Sequence, residues 1–114
     1  MRTLGVIVGV WVVGMFVTPA RASTQEGAAL YAKDCAACHG TGGKGDGPAA
    51  SSMNPAPTDL TRPDGTGTLT VEQLTAVIQK GKGSMPGFGA MLKPGEAKAL
   101  AEYIHGLSAE TKKE

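Results

Sequence analysis

Apolar residues fall into one continuous run and three amphipathic stretches. After Met1-Arg2-Thr3 the chain is uncharged from Leu4 to Val17 and then reaches Pro19-Ala20-Arg21-Ala22. From Ser23 to Asp34, Leu30 and Tyr31 lie beside Gly27 on one face, and Ser23 and Glu26 stand at capping-box spacing. From Thr70, with Gln73 three residues on, Val71, Leu74, Val77 and Ile78 recur at helical spacing until Gly81. The last stretch has Pro94 near its first position and Ala97, Leu100, Tyr103, Ile104 and Leu107 at i, i+3, i+4 intervals. Neither sustained alternation nor an internal repeat is present, so the pattern predicts an all-α chain with three main helices.

The segments between these helices are long and rich in glycine and proline. One runs from His39-Gly40 through Gly47-Pro48 to Asn54-Pro55-Ala56-Pro57, a length uncommon for a structureless loop in a compact domain. Such a loop needs a body to wrap. The other is Gly81-Lys82-Gly83-Ser84-Met85-Pro86-Gly87-Phe88-Gly89, in which Pro86 restricts Met85 to extended geometry and glycine permits close backbone approach.

The opening run has a basic start, a short apolar core and a small-residue processing site at Ala20-Arg21-Ala22, the pattern of a secretory signal peptide covering residues 1–22. Retained instead as an anchor, the uncharged stretch Leu4–Ala20 would sit at the bottom of the spanning range. Neither a lipid-accepting cysteine near residue 20 nor a twin arginine ahead of the apolar run is present, so general export to the periplasm or another extracytoplasmic space is expected.

Removal of the leader leaves a domain of 92 residues, 23–114, whose aromatics are Tyr31, Phe88 and Tyr103 alone. A core so thin calls for a staple, a metal or a large cofactor. Without the leader's two arginines, nine basic residues face ten acidic ones, which gives no reason to expect nucleic acid as a partner.

Both cysteines of the chain stand in Cys35-Ala36-Ala37-Cys38-His39, the attachment motif of c-type haem. Two thiols one helical turn apart can each add to one vinyl group on a haem edge, and the adjacent imidazole can then reach the iron. A thioredoxin-like redox pair would need a preceding strand, and none is signalled. Zinc would need two further ligands, whereas His105 is the sole remaining histidine and lies beyond finger spacing. A structural disulfide across so short a loop would be strained.

Together with Gly27, Tyr31, Gly47-Pro48, Met85-Pro86, Leu100 and Tyr103, this motif resembles the class I c-type cytochromes over nearly all of Gln25 to Leu107. The resemblance implies a cytochrome c fold, with Gly27 of the first helix against the Leu100 and Tyr103 face of the last. It implies one haem c held by Cys35 and Cys38, with His39 as proximal ligand and the carbonyl of Pro48 orienting it. For the sixth ligand, Met53, Met85, Met91, His105 and loop lysines are the candidates; the Met-Pro signature favours Met85. Met91 is expected to fill a core gap and His105 to face solvent near the helix end. With both axial positions filled, the iron is left with one-electron transfer.

The protein is thus expected to be a carrier and not a catalyst, exchanging electrons with an oxidase, reductase or dehydrogenase. The alternative is a cytochrome subunit of such a complex, which Gly45-Asp46-Gly47-Pro48 and Asn54 to Leu60 resemble. A monomer or a subunit of a complex is expected, touching the membrane only if the leader is uncleaved. Lys80 and Lys82 are either ordinary solvated lysines or steering charges for an acidic partner.

Overall fold

The computed structural model describes residues 5–15 and 19–113, with side chains given for 5–15 and 24–110. Among the described residues four α-helices follow one another: α1 (Pro19–Asp34), α2 (Ala36–His39), α3 (Val71–Lys80) and α4 (Glu96–Lys113), with single 3-10 turns at Ala50–Ser52 and Thr66–Thr68. Among the described residues there is no strand beyond one isolated antiparallel bridge between Lys82 and Met85. The all-α expectation holds.

Residues 5–15, the centre of the apolar run, form neither helix nor strand and expose Val6, Ile7 and Trp11. The remainder of that run, 1–4 and 16–18, lies outside the described residues. No described helix is long and apolar enough to cross a membrane.

The capping pair expected at Ser23 and Glu26 does not start α1, which already begins at Pro19. Proline suits the first helical position and Ala20, Arg21 and Ala22 are good helix formers, so the helix extends back through them. The Ser23 side chain lies outside the described residues.

In α3 the reading from sequence holds in detail. Thr70 Oγ1 accepts from the Gln73 N–H at 3.1 Å and Gln73 Oε1 accepts from the Thr70 N–H at 2.9 Å, a complete capping box. At the other end the Gly81 N–H donates to the Val77 carbonyl at 2.7 Å.

Helix α4 departs from the expectation at both ends. Gly95 has a φ of +87°, outside the helical range, so Pro94 and Gly95 form a turn, and the helix starts at Glu96, whose carboxylate accepts from the Lys93 N–H at 2.6 Å. It then continues through Gly106 to Lys113. His105 is therefore half-buried in mid-helix rather than solvated near the end.

Helices α1 and α3 both pack on α4, whose Ala97, Leu100, Ala101 and Ile104 are buried with Leu74 and Ile78 of α3 and Tyr31 of α1. The α1–α4 contact depends on Gly27: a Cβ there would lie 2.8 Å from Tyr103 Cβ and would collide with the Ala99 carbonyl. Gly27 and Tyr103 thus meet as expected, whereas Leu100, only 1% exposed, serves the core itself. The Tyr31 and Tyr103 rings lie 5.2 Å apart at 51°, within the range of favourable aromatic pairs. Met91, expected inside, is 66% exposed. The turn in which the Met91 and Leu92 N–H groups both bond to the Phe88 carbonyl directs Phe88 and Leu92 to the core instead.

Candidate functional site

Cys35 stands between α1 and α2 as the N-cap of α2, tied back by Cys35 N–H to the Tyr31 carbonyl at 2.9 Å and His39 N–H to the Cys35 carbonyl at 2.9 Å. Cys35, Cys38 and His39 consequently stand at i, i+3 and i+4 along near-continuous helix and share one face. Both thiols are free, Cys35 buried and Cys38 half-buried. Burial, with Asp34 and Cys38 adding, pushes the Cys35 thiol up to about 11. A thiol raised by burial is less reactive than the depressed thiol of a dithiol redox site. Among the described residues no group of three or more His, Cys, Asp or Glu could hold a bare metal ion.

The His39 ring is oriented by the loop that returns to it. Its Nδ1 lies 2.9 Å from the Thr58 carbonyl oxygen. A carbonyl only accepts, so Nδ1 carries the hydrogen and Nε2 keeps the lone pair a metal needs. The oxygen expected from Pro48 is therefore supplied by Thr58. Gly47 N–H bonds to the Cys38 carbonyl at 3.1 Å and Ala49 N–H to the Ala37 carbonyl at 2.8 Å, which straps the Pro48 segment along the α2 backbone and leaves Pro48 exposed.

Thr58 is held in place from both directions. The Leu60 N–H donates to the Gly43 carbonyl at 2.6 Å, and Gly45, at φ +83°, lets the Pro57 carbonyl come within 2.6 Å of where a Cβ would stand. Asp59 Oδ1 accepts from the Thr61 N–H at 2.9 Å and hydroxyl at 2.6 Å, and the hydroxyl bond above all lowers the Asp59 carboxyl below its ordinary range. On the other side the Tyr31 hydroxyl donates to the Gly40 carbonyl at 2.6 Å, fixing the residue after His39 to α1.

Met85 lies on a separate loop. A tight turn closes over Gly83 and Ser84, with Lys82 and Met85 exchanging both backbone hydrogen bonds at 3.1 and 3.0 Å. The loop then returns to α3: Phe88 N–H bonds the Ile78 carbonyl at 2.9 Å and Gly89 N–H the Gln79 carbonyl at 3.2 Å. Met85 is half-buried, as are Met53 and His105, while Lys80 and Lys82 are exposed. Sequence reasoning passed over Thr58 and Ser84. Thr58 acts through its own carbonyl, for which residue type gives no signal, and Ser84 through a hydroxyl whose backbone acceptor lies 29 residues away.

A free pair of thiols, an imidazole with its distal nitrogen available and a buried apolar cluster around them fit a covalently held haem. Residues 22–104 match the protein family described as cytochrome c oxidase, cbb3-type, subunit III. The chain belongs to the c-type cytochromes. This cytochrome is 34% identical over 79 residues to cytochrome c6 of Microcystis aeruginosa, covering 69% of this chain and 90% of that one. It is 38% identical over 93 residues to the cbb3-type cytochrome c oxidase subunit FixP of Azorhizobium caulinodans, covering 79% of this chain but 28% of FixP. Among solved structures it resembles a chain of the reducing HAO-like protein complex of Kuenenia stuttgartiensis, with a TM-score of 0.68 and 27% identity. That match covers 82% of this cytochrome and 47% of the other chain. As a class I cytochrome of this family it is an electron carrier with one haem c.

Proposed function

We propose that this cytochrome carries single electrons between extracytoplasmic redox proteins, with Cys35 and Cys38 as the residues that would hold the haem covalently and His39 and Met85 as those that would ligate its iron. The observation that carries the reading is the His39–Thr58 bond, which presents Nε2 as a ligand beside two free cysteines on one face. When bound, haem supplies a one-electron ferric/ferrous couple. The chain's own residues set its conditions. The Thr58 carbonyl fixes the imidazole tautomer and raises its basicity. The Met85 thioether, soft and neutral, favours the ferrous state. Packing by Leu60, Leu74 and Ile78 supplies the apolar surroundings that disfavour an extra positive charge.

Export would follow from the leader, with cleavage after Ala22 leaving 23–114 as the working domain. Intact mass of secreted material should then correspond to a chain starting at Ser23; a mass that includes residues 1–22 would establish a retained anchor. The axial assignment is tested by the visible spectrum. The transition from thioether to ferric iron should be present in the exported protein and absent after Met85→Ala, and its persistence would remove Met85 from the role.

A second reading, a cytochrome subunit within a larger complex, is favoured by the family description and by the FixP match. Co-purification from membranes under native conditions, against recovery as a free monomer, separates the two.

A further inference from the structure

Residues 55–60 touch both halves of the site through backbone oxygens. The Thr58 carbonyl accepts from His39, and three residues earlier the Pro55 carbonyl accepts from the Ser84 hydroxyl at 3.2 Å. Ser84 directly precedes Met85. Among the described residues no other side-chain hydrogen bond joins the 81–89 loop to this segment.

The other anchors of the loop all lead back to α3. Besides the bonds from Phe88 and Gly89, Gly81 and Gly87 allow close backbone approach: a Cβ on Gly81 would lie 2.7 Å from the Gly87 nitrogen, and one on Gly87 would lie 2.6 Å from the Gln79 carbonyl. These contacts secure the base of the loop and its return. The tip, 82–85, is closed by its own pair of bonds, and the Ser84 hydroxyl alone among its side chains reaches across to 55–60. Ser84 is exposed, so its hydroxyl has little packing to contribute.

We propose that Ser84 is a positioning residue for Met85, pinning the tip of the methionine loop to the same segment that orients His39, so that one stretch of backbone registers both axial side chains. The inference rests on the reading of Met85 as a ligand. A free ligand such as imidazole can reach ferric iron only when Met85 has left, so its binding rate follows the population in which the tip is open. Loss of one ordinary net hydrogen bond corresponds to about a fivefold change in that population.

The experiment compares imidazole binding to the ferric holoprotein by stopped flow in the wild type, Ser84→Ala, Ser84→Thr and Met85→Ala, with the visible spectrum recorded for each. Expected are binding about fivefold faster in Ser84→Ala with the thioether transition retained, and a return toward the wild-type rate in Ser84→Thr, whose hydroxyl can donate the same bond. If Met85→Ala abolishes the transition while Ser84→Ala binds imidazole at the wild-type rate, Met85 keeps its role and Ser84 loses its own. Equal acceleration in Ser84→Ala and Ser84→Thr would also overturn the proposal, since the hydroxyl would not be its cause. A transition that survives Met85→Ala would overturn the ligand assignment and the inference together.

Discussion

The three-helix frame and the two long loops beside the candidate site are held together by different means. In the frame, Leu74, Ile78, Leu100 and Ile104 are withdrawn from water and fixed by shape, and the close pass at Gly27 depends on the absence of a side chain. In the loops few side chains are buried; order comes from backbone bonds such as Leu60 to Gly43 and Phe88 to Ile78, and from glycines that let one backbone lie on another. Damage to the part of the frame formed by α1 and α4 should therefore change stability more than it changes the site. Damage to the loops should change the site out of proportion to stability.

The largest effect is expected in the frame. Leu100→Ala should cost about 2–5 kcal/mol in denaturant unfolding, because the buried cavity cannot fully collapse, while the reduction potential stays close to the wild-type value. An equally large potential shift would erase the distinction between the two regions. Next comes Gly45→Ala, where a left-handed φ and the nearby Pro57 carbonyl predict a loss of about 1–3 kcal/mol. Its distinguishing mark is at the iron: displacing Pro57 moves the neighbouring Thr58 carbonyl away from His39, lowers imidazole basicity, and should raise the measured reduction potential.

Thr70→Ala removes the α3 cap and should cost about 1 kcal/mol in the same unfolding measurement, with no spectral change. Tyr31→Phe tests the joint between frame and loop, and its effect at neutral pH is the smallest, about 0.5 kcal/mol, since the Gly40 carbonyl keeps the Gly43 N–H at 3.2 Å. Its signature lies at alkaline pH. Burial, ahead of the nearby Cys35, Tyr103 and Asp46, pushes the Tyr31 phenol from 10.0 up to about 12. In the unfolded chain it ionises near its ordinary value, so between these pH values only the native state keeps the proton and native stability falls as pH rises. Urea midpoints across this range should decline in the wild type, and the Tyr31 part of that decline should vanish in Tyr31→Phe.

The same division governs what could be read in advance. Apolar spacing and capping chemistry gave α3 to its last residue, and Cys35, Cys38 and His39 are local enough that spacing alone places them on one face. The close pass at Gly27 was implied by the resemblance to class I cytochromes and not by the helix pattern, which shows only a glycine beside Leu30 and Tyr31. Helix ends were harder: Pro94 suits a first helical position, but the left-handed Gly95 behind it forces the start to Glu96, and Gly106 does not stop a helix whose Ser108 is still buried. Met91 faces outward because one turn sends Phe88 and Leu92 inward, a choice made in three dimensions. The carbonyl on His39 comes from 19 residues away, and the backbone bonds that decide between Pro48 and Thr58 leave no trace in residue type.

The acceptor that steadies His39 belongs to the main chain, and the Thr58 side chain is exposed. Whatever residue occupies position 58 brings the same oxygen. The outer surface beside His39 can therefore carry a charge, an amide or an apolar group while the atom that orients the imidazole stays where it is.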